Sequence, residues 1–224
     1  MKNILLIILA AGVAAVAHAQ VALGPEIGIN ISNIKLNKEY QTGEHGFRGG
    51  GILDIRLGKN SIVYFQTGAF SSVEGAGFGY GTNSGKLVID YLQVPANLVF
   101  KFWTVGDNHF FAGVGPYTGL VVGGTATENG DTRKIITGRN TSKDDVRPND
   151  IGLGFQAGYQ FAFGLFFHAQ YGFSIMNIAP DENSYGANNQ INAKNSVFSY
   201  SAGWLFDNIH FNKRRKAYYE KKGW

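Results

Sequence analysis

Glu26, Asp54, Arg56, Lys101 and His168 are the side chains here best suited to acid–base work. Two carboxylates, two cations and an imidazole could relay a proton or serve as general acid and base, if the fold brings them together. The same set fits a plainer role. Balanced charges are what a narrow, dry interior tolerates, because an unpaired ion there is costly. Hydrolysis would also need a nucleophile, a base within hydrogen-bond reach and a group that orients the base. His45 stands beside Glu44, His109 at a turn and His210 near the end of the chain, and none has a serine spaced to share its strand face. His168 has Phe166 and Gln170 as same-face neighbours. No catalytic residue is assigned, and the five are read as a structural ion-pair network.

Other candidate motifs are weak. Gly75, Gly77, Gly79 and Gly81 alternate as in a phosphate loop, but no helix and no suitably placed lysine follow, so the stretch reads as a flexible loop. Glu128, Asp131, Asp144 and Asp145 could hold calcium, yet Arg133, Lys134, Arg139, Lys143 and Arg147 are interspersed with them. That mixture reads as a solvated loop, with no metal and no cofactor. The absence of cysteine removes disulfides and thiolate metal sites.

The elements that position these residues are strands. In the hairpin from Asp150 to Asn177, Ile151, Leu153, Phe155, Ala157, Tyr159 and Phe161 share one face, and Asp150, Gly152, Gly154, Gln156, Gly158 and Gln160 the other. After a tight turn, Leu165, Phe167, Ala169, Tyr171, Phe173 and Ile175 oppose Phe166, His168, Gln170, Gly172 and Ser174. The aromatic face is too bulky, and the glycine and amide face too weakly charged, for a soluble sandwich. The pattern places the aromatics in lipid and the small residues inside a narrow barrel.

Strands are expected at Val21 to Ser32, Phe47 to Leu57, Ser61 to Phe70, Lys86 to Trp103 and His109 to Gly123, then in the hairpin, and at Lys194 to Phe206. This makes an all-β, eight-stranded antiparallel transmembrane up-and-down barrel. Its connections alternate long and short, as external loops and periplasmic turns do. Both chain ends then lie in the periplasm. Trp103, Phe110, Phe161, Phe163, Trp204 and Phe206 fall beside the short turns, as an interfacial girdle should. Pro95 and Pro116 lie inside strands, where each removes a ladder donor and a bulge could accommodate it. The five chemical candidates point inward, toward the turn end.

Residues 1–19 read as a signal peptide, with Lys2, an apolar core from Ile4 to Val16, and Ala17-His18-Ala19 before the cut. The core is shorter than the ~20 residues of a membrane-spanning helix. The barrel domain is then 20–206. The tail, 207–224, carries Lys213, Arg214, Arg215, Lys216, Lys221 and Lys222, interleaved with Tyr218, Tyr219 and Trp224. The formal net charge of +4 resides there. It suits anionic lipid headgroups or an acidic envelope protein. Nucleic acid is not expected as a partner of an exported chain.

Tyr91-Leu92-Gln93-Val94-Pro95, Phe111 to Tyr117, Gly152-Leu153 with Ala157-Gly158-Tyr159, Gln170-Tyr171 with Asn177-Ile178, and Ser201 to Phe206 resemble the PorT-type outer-membrane β-barrel proteins of Bacteroidota. The resemblance runs through nearly the whole chain to Phe206. It implies an eight-stranded outer-membrane barrel with prolines in its strands. One branch of that family takes part in type IX protein secretion, and no motif here selects that branch. The expected role is structural or binding, through loops and tail, with a plugged lumen. An accessory role in secretion, a lipid- or peptide-modifying activity, and a narrow channel are the alternatives.

Overall fold

The computed structural model describes residues 21–35, 41–58, 61–80, 83–139, 144–180 and 192–207. The expected signal peptide, and the tail beyond Asp207, lie outside the described residues. The strands are β1 (Val21–Lys35), β2 (Gln41–Arg56), β3 (Val63–Tyr80), β4 (Asn83–Trp103), β5 (His109–Glu128), β6 (Asp131–Lys134), β7 (Asn149–Gln160), β8 (Leu165–Ser174), β9 (Lys194–Trp204) and β10 (Phe206–Asp207). Each barrel strand pairs antiparallel with the next, and β5 passes to β7 because β6 is only a flap on β5. The ring closes where β1 pairs with β9 from Glu26↔Gly203 to Lys35↔Lys194. β10 continues that seam to Ala22↔Asp207, so the ladder includes the first residue assigned to the tail. The result is a closed barrel of eight strands.

The faces follow the two-residue period. Leu23, Ile27 and Ile29 on β1 are 59%, 61% and 58% exposed, while Glu26 and Asn30 on the alternate face are buried. Leu92, Val94, Leu98, Phe100 and Phe102 likewise point outward from β4, with Gln93, Asn97 and Lys101 inside. A soluble protein would not leave such a surface in water.

Two expectations change, and one feature of the interior is new. The strands run further at the loop end than alternation indicates. Gly75, Gly77 and Gly79 belong to β3, which pairs with β4 as far as Tyr80↔Asn83. Beyond the hydrocarbon both faces can be polar, so the ladder continues where the hydrophobic signal has stopped. Secondly, no bulge forms at either proline. The β3–β4 and β4–β5 registers are the same on both sides of the rungs missing near Pro95 and Pro116. The β4–β5 shift falls instead at Asp90/Tyr91. Each proline removes a donor without adding a residue. The new feature is that inward glycines make room for rings. A Cβ at Gly158 would lie 2.6 Å from the Phe111 ring, and one at Gly203 would collide with Phe166.

Two apolar layers occupy the interior. Ala22, Ile52, Phe70, Val99, Phe111, Phe166 and Leu205 pack toward the turn end. Ile34, Ala76, Ile89 and Tyr91 pack at the loop end with Val146, Ile178, Ala179 and Ala193, which come from the loops.

A charge placed on the outer face near mid-strand should destabilise the barrel strongly, whereas the same face should accept apolar exchanges. Ile29→Arg is expected to cost about 2–4 kcal/mol in denaturant unfolding from lipid vesicles, and Ile29→Leu to cost little.

Candidate functional site

The lumen brings chemistry-bearing residues together in layers. Near the turn end, Lys101 of β4 donates through Nζ to Asp54 of β2 in a buried ion pair. Nζ also donates to Gln160 Oε1 at 2.9 Å and lies 4.3 Å from the centre of the Tyr64 ring. His109 Nε2 meets the same Gln160 oxygen at 2.9 Å. Above this pair, Gln156 Nε2 donates to Gln66 Oε1 at 2.6 Å.

A longer chain runs through Glu26. Arg48 Nε lies 3.3 Å from Glu26 Oε1, and His168 Nε2 lies 3.2 Å from the same oxygen. Arg48 stacks over Phe70 at 3.9 Å and donates through Nη1 to Gln93 Oε1 at 2.8 Å. Gln93 Nε2 then donates to Glu74 Oε1 at 2.6 Å. Ser72 donates to Glu74 at 2.7 Å, and Asn195 donates to its other oxygen. Asn30 completes the run, donating to Ser72 at 2.9 Å and accepting from Ser199 at 2.8 Å. Nearer the loops, Asp150 accepts from Ser174 at 2.6 Å.

Of the five side chains singled out by sequence, four fall in these layers. Asp54 joins Lys101, and Glu26 joins His168. Arg56 sits beside the β2–β3 turn, where Nε donates to the Ser61 carbonyl at 2.8 Å and the guanidinium lies 5.8 Å from the Tyr64 ring. Sequence reasoning missed Arg48 and Glu74. Arg48 has the parity of Asp54 on the same strand and was available from alternation. Glu74 lies in the stretch read as a loop, so its inward position had no signal.

His168 and Ser201 are register partners on β8 and β9, with Glu26 on the next strand. Serine, histidine and carboxylate thus converge in a way the strand-by-strand reading did not foresee. However, Glu26, His168 and Ser201 are 1%, 7% and 5% exposed, and the His168 ring lies against those of Phe111 and Phe166. A substrate would have to displace an apolar layer to reach them.

The loop end has its own lock. Arg133 grips Asp145 in a two-pronged pair at 2.6 and 2.7 Å, and Asp145 also accepts from the Ile136 amide at 2.8 Å. The acid cluster considered for calcium is thereby divided, with both oxygens of Asp145 engaged. Burial of Asp145 raises its pKa, but the Arg133 hydrogen bonds, the Ile136 amide and the Arg133 charge outweigh that and hold it below the usual range. The pair fixes the segment that delivers Val146 into the outer apolar layer. The Arg147 amide and Nε then bind the Ile178 and Ala179 carbonyls at 2.9 and 2.7 Å, stitching one loop to the next.

A family model for the outer membrane protein beta-barrel domain matches residues 16–179. The chain belongs to this family. It is an integral outer-membrane barrel. No curated protein matches it. Solved structures similar to it include Ail, the attachment invasion locus protein of Yersinia pestis, at 16% identity over 84% of this chain and 99% of that one, TM-score 0.41. Neisserial surface protein A is 13% identical over 82% and 97%, TM-score 0.46. OprG of Pseudomonas aeruginosa is 13% identical over 85% and 96%, TM-score 0.46.

Lys101→Met strands a buried carboxylate and should cost about 3–5 kcal/mol in vesicle unfolding, with Lys101→Met/Asp54→Leu recovering most of it. The loop lock should survive mild acid. Asp145 titrates lower in the folded loop than when free, so its contribution is complete above the ordinary carboxylate value of ~3.9 and is lost only as pH falls through the depressed one. Hydrogen-exchange protection of the Ile136 amide should therefore persist down to about pH 4 and fail below it.

Proposed function

We propose that this protein is a non-conducting, non-enzymatic barrel that stabilises the envelope and binds partners through its loop rim. The observation that carries the reading is the filled lumen: two apolar layers, the Glu26–Arg48–Glu74 network between them, and the Lys101–Asp54 pair on the turn side of the lower layer. An eight-stranded barrel has room for little beyond its own side chains. General porin activity has no path through such an interior.

In the orientation we infer, the loops face outward and both chain ends face the periplasm, after removal of residues 1–19 as a signal peptide. The short-turn rim supports this with an aromatic belt, where Phe163 and Trp204 lie 5.3 Å apart and Phe110 and Tyr159 4.8 Å apart. The basic and aromatic residues of the tail then face the periplasmic surface and would meet anionic headgroups or an acidic envelope protein. The resemblance to PorT-type proteins supports a Bacteroidota origin and admits an accessory part in secretion, which co-purification from intact envelopes would reveal.

In planar bilayers the purified barrel should give no steady conductance at moderate voltage. A reproducible open level would overturn the plugged-lumen reading.

A further inference from the structure

On the outer wall at the loop rim, a groove of about 270 Å³ is lined by Lys35, Lys194, Tyr171, Phe173, Ile175 and Ser196. We propose that it binds one phosphate-bearing membrane lipid, with the phosphate between the two lysines and acyl chain along the aromatic wall below. The lipid belongs to the leaflet at the loop rim, which is the outer leaflet on the orientation inferred above.

Three observations converge on this occupant. The first is the charge pattern. Lys35 and Lys194 are direct partners on the last rung of the β1–β9 seam. Like charges at that spacing repel, and neither lysine is ion-paired with any described residue, whereas Lys86 on the same rim is held by Glu44 at 2.6 Å. An anion seated between the pair would turn a repulsive rung into an attractive one.

The second is depth. The outward positions of β1 run Leu23, Pro25, Ile27, Ile29, Ile31, then Asn33 and Lys35. The apolar band therefore ends two outward steps before Lys35, and the lysines stand where headgroups begin. A soluble anion would need no hydrocarbon beside it, but this groove has it. Phe173 is opposite Ser196, one same-face step along β9 from Lys194, and Tyr171 pairs with Phe198 below. Tyr171 and Ile175 are exposed on that wall.

The third is size. The groove is just below the ~300–1,000 Å³ of pockets that enclose a drug-sized molecule. It suits one headgroup with the start of a chain, the remainder lying against the barrel as ordinary lipid does.

The test uses the purified full chain in neutral maltoside micelles, with native mass spectrometry counting retained lipid. Dioleoyl phosphatidic acid should be retained as a single molecule in preference to dioleoyl phosphatidylcholine. Lys35→Gln/Lys194→Gln should weaken that retention on the order of thirty-fold, the effect of neutralising two basic side chains at an anionic headgroup. Lys35→Arg/Lys194→Arg should keep it, and Lys86→Gln should leave it unchanged. Heat-modified electrophoretic mobility reports whether each variant is a closed barrel. If the double glutamine variant does not close, Lys194→Gln alone should still weaken retention several-fold. Equal retention by folded wild type and glutamine variants would overturn the proposal, as would no preference between the two lipids. Displacement of the lipid by excess inorganic phosphate would also overturn it, since the site would then be one for free anions. None of these readouts depends on lumen conductance, so they stand apart from the plugged-barrel reading.

Discussion

Hydrocarbon offers the backbone no hydrogen-bond partner, and the architecture follows from that. Every amide and carbonyl within the membrane must be answered by the chain itself, which a sheet achieves only by closing. Closure here depends on the β1–β9 seam and its short β10 extension. Gly24 lies against the Trp204 carbonyl at that junction, so close that a side chain at this position would collide with it. Once the ring is shut, side-chain parity is fixed around the whole circumference, and each strand must present apolar groups outward and whatever fits inward.

The inward side is the harder problem. A narrow lumen is too tight for bulk water and too polar to be left dry without pairing. Rings fill the space that glycine leaves, and the charges are joined in runs from Glu26 through Arg48, Gln93 and Glu74 to Asn195. Neutral amides act as couplers between charges too far apart to touch. The loops contribute to the same filling, because the Arg133–Asp145 pair and the Arg147 contacts bring Val146, Ile178 and Ala179 over the mouth. Loop order and lumen closure are therefore one mechanical unit, with the loop rim as its outer surface.

Much of this was legible from the chain. The aromatic and amide faces of the hairpin at β7 and β8 are unambiguous, and they alone indicate which side meets lipid. Inward placement of Glu26, Asp54, Lys101 and His168 follows from parity along their strands. What escaped had physical reasons. The outer ends of β2, β3, β4 and β5 lie where both faces can be polar, so their pairing left no periodicity to read. Glu74 was hidden with them. Phe70 and Phe111 fall in stretches where apolar residues occupy consecutive positions, and composition cannot say which ring turns inward. Pairing across strands, such as Arg48 with Glu26 or His168 opposite Ser201, depends on register, which no single strand encodes.

The account rests on the outward apolar residues being in contact with hydrocarbon. Spin labels at Ile27, Val94 and Phe155, compared with one at Ile136 on the loop rim, test this in reconstituted bilayers. The three wall labels should collide readily with oxygen dissolved in the lipid and scarcely with a water-soluble nickel chelate, and the Ile136 label should show the reverse. Chelate access at the wall equal to that at Ile136 would contradict the account.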